Sequence, residues 1–189
     1  MYPILFRLGG LNIYAYGFFI AIGFMAGLVL VSLKAQREEV PLVRVVDLFF
    51  YSVLSAIIGS RILYVLINLD AYREDPLQIF KIWEGGLVFY GGLLLAIGVS
   101  IFYMRGHRLP TWKLADLFSP SIALGLIFGR IGCFFAGCCY GQETSISWGV
   151  FFKDPNSLAR LNVPLHPTQL YEAAGSLILF LFLIWKNKR

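Results

Sequence analysis

Three charged residues stand where the chain is otherwise too apolar to hold a charge: Arg61, Arg130 and Glu172. An arginine in a hydrocarbon environment costs at least about 2.5–3.5 kcal/mol on insertion scales, so it needs a partner or a task. A guanidinium stays charged when desolvated and grips a phosphate in bidentate geometry, which makes an anion site the functional reading of Arg61 and Arg130. The structural alternative is an ion pair with a membrane acid such as Asp116 or Glu172. Glu172 closes the segment His166-Pro167-Thr168-Gln169-Leu170-Tyr171-Glu172. Proline suits the first turn of a helix, which puts His166 at the cap position. Gln169 and Glu172 are three residues apart and share a helix face, where interhelical hydrogen bonding is the alternative to a binding role.

Two further segments carry possible chemistry. Gly85-Gly86-Leu87-Val88-Phe89-Tyr90-Gly91-Gly92 flanks a tyrosine with two glycine pairs. Glycines permit close approach of a helix or of a ligand. Tyr90 with Gly91 and Gly92 therefore reads either as tight packing beside an interfacial aromatic or as narrow access for a lipid headgroup with the phenol as donor. The run from Gly129 to Gly141 contains Arg130, Cys133, Gly137, Cys138 and Cys139. If the helix continues through it, Arg130, Cys133, Gly137 and Cys138 form one small-sided stripe that leaves room beside the arginine. The three cysteines are expected as small buried hydrophobes. Adjacent cysteines rarely bridge each other and an odd count leaves one over. His107 and His166, the only two histidines, fall on opposite expected sides, so no metal is expected.

These residues must be positioned by membrane helices. The chain is 58% hydrophobic and 14% charged, with a mean hydropathy of +0.72, against about 25% charged residues in soluble domains. About 20 apolar residues span a hydrocarbon core, and five stretches qualify: Leu11–Leu33, Val45–Leu69, Gly86–Met104, Leu114–Phe135 and Thr168–Trp185. The expected fold is all-α and polytopic, in one membrane domain covering residues 1–189. The start, with Arg7 as the only charge before the first span, lacks the basic region of a cleaved signal peptide. The net charge of +5 is read loop by loop and is no nucleic-acid signature. Nine basic residues (Lys34, Arg37, Arg44, Arg105, Arg108, Lys113, Lys186, Lys188, Arg189) fall in one set of alternating loops and five (Arg7, Arg73, Lys81, Lys153, Arg160) in the other. Lysine and arginine concentrate in cytoplasmic loops, so the N-terminus is expected outside and Lys186 inside. Arg61 then lies about 12 Å from the outer end of its span at about 1.5 Å per residue. Tyr14, Tyr16, Tyr90, Arg130 and Glu172 fall in the same outer half, as a shared pocket open to the outer leaflet would require.

The chain resembles the prolipoprotein diacylglyceryl transferase family. The resemblance is carried by Tyr16-Gly17, Gly59-Ser60-Arg61-Ile62, Tyr90-Gly91-Gly92-Leu93 and Ala115-Asp116, and most specifically by Gly129-Arg130-Ile131-Gly132 and His166–Glu172, in order across nearly the whole chain. It implies a multi-pass protein of the bacterial inner (plasma) membrane. Its members move the diacylglyceryl group of phosphatidylglycerol onto the lipobox cysteine thiol of a preprolipoprotein, releasing glycerol-1-phosphate without metal or cofactor. Arg130 matches the family's phosphate-binding arginine and Tyr16 a tyrosine at the pocket mouth. Arg61 would support the headgroup or a nearby acid, Glu172 and Gln169 would order the arginines or headgroup hydroxyls, and His166 would cap its helix or assist proton transfer.

The departures are specific. Tyr90 stands where many members carry a histidine proposed as base, and an ordinary tyrosine titrates near 10. Cys133 and Cys138 stand where the better-known form has asparagine and glutamate. The family is usually longer, with further spans beyond the equivalent of Lys186-Asn187-Lys188-Arg189. Three competing readings remain. An anion or lipid transporter would suit buried arginines but usually shows internal repeats. A thiol oxidoreductase normally has Cys-x-x-Cys. The third is an inactive lipid-binding homologue.

Overall fold

The computed structural model describes residues 2–8, 11–73, 75–82 and 85–186; Lys188 and Arg189 of the charge count lie outside them. Among these residues five helices are long and apolar enough to cross a membrane. They are α1 (Ala15–Arg37), α2 (Leu42–Ile67), α4 (Phe89–Gly106), α5 (Thr111–Ala136) and α6 (Thr168–Lys186), with a single helical turn, α3 (Leu69–Tyr72), after α2. The all-α polytopic reading holds, with short strands added to it. Leu11–Tyr14, expected inside the first span, form β2 and pair antiparallel with β1 (Ile4–Leu8). The amide of Ala15 then donates to the Pro3 carbonyl at 2.8 Å, so the hairpin closes onto the start of α1.

The chain divides into two compact units, Met1–Leu33 with Asp116–Arg189, and Lys34–Ala115. In the first, glycines let α1 and α5 approach. A methyl group at Gly132 would lie 3.2 Å from Phe19 Cβ and 3.3 Å from the Tyr16 carbonyl, and one at Gly23 would lie 3.0 Å from Phe128 Cβ. Phe19 stacks on Phe135 with ring centroids 5.1 Å apart. The long connection from α5 to α6 is folded rather than open. Strands β3 (Val150–Phe151) and β4 (Pro164–Leu165) pair antiparallel, and Phe152, Ala159 and Leu165 form a small buried core flanked by Tyr140, Val150 and Val163.

In the second unit α2 and α4 pack along a seam of small residues. A methyl group at Gly59 would collide with the Gly91 carbonyl, one at Gly91 with the Gly59 carbonyl, and one at Gly92 with Ser60 Oγ. Ser52 and Ser100 hydroxyls meet at 2.9 Å, and Tyr103 donates to Asp47 at 3.1 Å. Small residues with polar cross-links are how membrane helices associate without a hydrophobic driving force.

Candidate functional site

Arg130 lies six residues before the end of α5, Ala136, about 9 Å along the axis. Its guanidinium meets the Glu172 carboxylate at 2.5 Å, with side chains 31% and 49% exposed. Glu172 is therefore the acid that the sequence offered as a partner, and it is the one ion-pair partner of Arg130 among the described residues. A guanidinium has five N–H donors, so a single carboxylate leaves donor capacity for a second anion. Cys133, one turn on, lies within electrostatic reach of both Arg130 and Glu172. Tyr16, half exposed, lies within electrostatic reach of Arg130 and of all three cysteines. Tyr16, Arg130, Cys133 and Glu172 thus gather within the first unit.

The start of α6 is tied to the chain that leaves α5. Gln169, fully buried, donates from Nε2 to the Cys138 carbonyl at 2.6 Å, and Thr168 Oγ1 donates to the Cys139 carbonyl at 2.7 Å. Gln169 is thus a clamp on the α5 exit, the hydrogen-bonding role that stood as the alternative to ordering the arginines or the headgroup. The His166 amide donates to the Gln142 carbonyl at 3.0 Å, and its carbonyl accepts from Gly141 at 2.9 Å and Thr168 at 2.9 Å. Its ring does not cap α6. Nδ1 instead lies 3.4 Å from the Tyr171 hydroxyl, which accepts from Trp148 Nε1 at 2.8 Å. Trp148 escaped the sequence reading because the long connection offered no periodicity to place it, and Tyr171 was read there only as part of its motif. In the same connection, an open cleft of about 630 Å³ is lined by Tyr140, Gly141, Gln142, Glu143, Arg160 and Leu165. Arg160 pairs with Glu143 across it at 2.9 Å.

The expected cysteine stripe is corrected. The helix stops at Ala136, because Gly137 takes a left-handed φ of +76° and the amides of Gly137 and Cys138 both turn back to the Cys133 carbonyl, at 2.9 and 3.1 Å. This is a glycine-terminated helix end. Gly137 and Cys138 therefore do not continue the face of Arg130 and Cys133.

Arg61 belongs to the second unit and is built differently. It is 8% exposed and donates to four backbone carbonyls: Ile79 at 2.8 Å, Gly85 at 2.7 Å, Gly86 at 3.2 Å and Gln78 at 2.6 Å. The carbonyls of Gln78 and Ile79 end a 3-10 turn, Pro76–Phe80, whose start is capped by Asp75. Helix ends leave carbonyls unsatisfied and favour a cation. Gly85 and Gly86 aim theirs by adopting φ of +92° and +76°, and the Tyr64 and Tyr72 rings flank the guanidinium with centroids at 5.7 and 5.6 Å. No acid pairs with Arg61 among the described residues. Gly91 and Gly92, expected to border a headgroup, face α2 instead and are occupied by the packing seam. Tyr90 is 69% exposed and touches the Phe89 ring.

A family profile described as prolipoprotein diacylglyceryl transferase matches residues 3–189. A phosphatidylglycerol–prolipoprotein diacylglyceryl transferase of Clostridium tetani is 34% identical over 189 residues, covering 100% of this chain and 75% of that protein. Proteins of the same name from Geobacter sulfurreducens and Solidesulfovibrio magneticus are 37% and 38% identical, each over 99% of this chain and 72% of its own length. With its whole length matched and the Arg130–Glu172 pair formed inside two apolar helices, this chain belongs to the prolipoprotein diacylglyceryl transferase family.

Proposed function

We propose that this protein transfers the diacylglyceryl group of phosphatidylglycerol to a prolipoprotein, with the thiol of a lipobox cysteine as acceptor. The observation that carries the reading is the match of the whole chain to transferases of that name. The transporter alternative has no comparable support.

In this reading the sulfur attacks the terminal glyceryl carbon. A C–S bond forms, the C–O bond to phosphate breaks, and the thiol proton ends on the phosphate of the departing glycerol-1-phosphate. Negative charge grows on the phosphate oxygens as the C–O bond opens. A positioned cation in a water-poor site stabilises such charge more than any other single device. Arg130 has that role, and Glu172 holds its guanidinium at one edge so that the remaining donors face the phosphate. Tyr16 borders the headgroup, the small Cys133 leaves room beside the clamp, and Gln169 with His166 fixes the start of α6 that carries Glu172. Tyr90 offers an exposed phenol to the substrate. Arg61 is a positioning residue that orders the loop between α2 and α4.

The active face lies towards the outer leaflet of the plasma membrane. The N-terminus is outside and the end of α6 cytoplasmic, as the nine-to-five distribution of basic residues argues. Incubating the purified protein with phosphatidylglycerol and a lipobox peptide tests the activity. A peptide carrying the diacylglyceryl-thioether mass is expected, and its absence sinks the reading. An engineered cysteine at Asp75 should react with an impermeant thiol reagent from outside intact cells; protection there overturns the orientation.

A further inference from the structure

The exit of α5 brings three thiols together. The Sγ atoms of Cys133, Cys138 and Cys139 all lie within 4.8 Å of one another, and all three cysteines are unbridged. Helical periodicity does not produce this cluster, because Cys138 and Cys139 lie beyond the last helical residue. The reversal at Gly137 does, and it is built in detail. Ser157 Oγ occupies the place where any side chain at 137 would go. Cys139 itself adopts a φ of +58°, the left-handed region that a residue with a side chain rarely visits. The reversed segment is then pinned by the Thr168 and Gln169 bonds to the carbonyls of Cys139 and Cys138. Gln169 Oε1, buried beside the same segment, has no hydrogen-bond partner among the described residues.

A disulfide uses two sulfurs at about 2.04 Å and leaves the third unused. A metal ion uses all three. Zinc–sulfur bonds of about 2.3 Å in tetrahedral geometry place sulfurs about 3.8 Å apart, so the cluster closes on an ion with shifts of about 1 Å or less. Thiolate ligands select zinc(II) and copper(I) over the hard cations that carboxylates and carbonyls hold. Three thiolates around either ion leave net negative charge, and Arg130 lies one turn before Cys133 on the same face of α5. Burial grades from Cys133 (buried) through Cys138 to Cys139 (exposed), which gives an ion a way in.

We propose that Cys133, Cys138 and Cys139 form a three-thiolate site for a thiophilic d10 cation, zinc(II) or copper(I), at the end of α5. The inference shares Cys133 with the lipid-transfer reading but does not rest on it, and its readouts are metal and thiols rather than turnover.

The test uses the full chain, reduced and metal-free, in detergent. It is titrated with cadmium(II) as a zinc surrogate and, separately, with copper(I) buffered by a competing chelator. A thiolate-to-cadmium charge-transfer absorbance that saturates at one ion per chain is expected. The bound ion should protect all three thiols from alkylation, counted by mass. Cys133→Ser, Cys138→Ser and Cys139→Ser should each weaken binding by more than the about 10–100-fold that outer-shell changes cause. Unchanged affinity in the triple serine variant overturns the site, as does alkylation of three thiols at saturating metal. If the buried serine substitutions prevent folding, the exposed Cys139→Ser variant and the protection count on the unaltered protein decide the question.

Discussion

Arg61 and Arg130 are the same residue at the same distance from a helix end, six residues before Ile67 in α2 and six before Ala136 in α5. Their surroundings differ in kind. Arg61 is 8% exposed and spends its donors on four carbonyls of the loop that follows its helix. Arg130 is about a third exposed and faces one carboxylate. A guanidinium with four of its five N–H donors on backbone can be turned to a ligand only by stranding buried carbonyls, each at about 1–3 kcal/mol. One held by a single acid can take a second anion without unmaking its first contact. The second unit therefore uses its arginine as architecture, and the first leaves its arginine with donors to spare for the chemistry proposed above. An intramembrane arginine is informative only once its donors have been accounted for.

The contrast can be attacked from both sides. Arg130→Ala is expected to lower diacylglyceryl transfer about 100- to 1000-fold, the loss typical of removing one donor to a developing anion, and to cost far less in stability than in activity, since the Glu172 carboxylate it leaves unpaired is half exposed. An Arg130→Ala protein that keeps full turnover would end the assignment. Arg61→Lys is expected to do the reverse. Lysine has three donors without the planar fork and cannot serve four carbonyls, so stability falls by about 3 kcal/mol or less and the folded fraction retains most of its activity. If thermal unfolding were unchanged and turnover fell as far as in Arg130→Ala, Arg61 would belong with the chemistry.

Gly91→Ala tests the seam that supports the second unit. Its methyl group meets the Gly59 carbonyl, and overpacking of this kind costs about 1–3 kcal/mol, read by denaturation with KM for phosphatidylglycerol unchanged. A raised KM at unchanged stability would return Gly91 to the substrate-binding role expected from sequence. The smallest effect is expected from Glu172→Gln. It keeps a hydrogen bond to Arg130 but removes the charge, and lowers turnover about five- to tenfold. A drop as large as that of Arg130→Ala would make Glu172 a direct participant in proton transfer rather than an orienting partner.

The membrane character, the five helices and the family were legible in the residues themselves. Hydrocarbon forces backbone hydrogen bonds to be satisfied within each segment, so about 20 apolar residues leave the chain one local solution, and boundaries moved by four residues at most. Glu172 was also legible as a partner, because an isolated acid in an apolar helix needs a cation. The two hairpins and the folded connection before α6 were not, since short strands in polar, glycine- and proline-marked segments carry no periodicity. Charge, apolar length and motif spacing are properties of the one-dimensional chain, and they determined that this is a membrane transferase family member with arginines to explain. Which acceptors reach each arginine, and whether three cysteines point apart or together, depends on where helices stop and how loops return. Only the tertiary structure decided those: Arg61 met the carbonyls of its own loop, Arg130 met Glu172 from a helix forty residues on, and Gly137 ended α5 early enough to turn a stripe of small residues into a cluster of thiols.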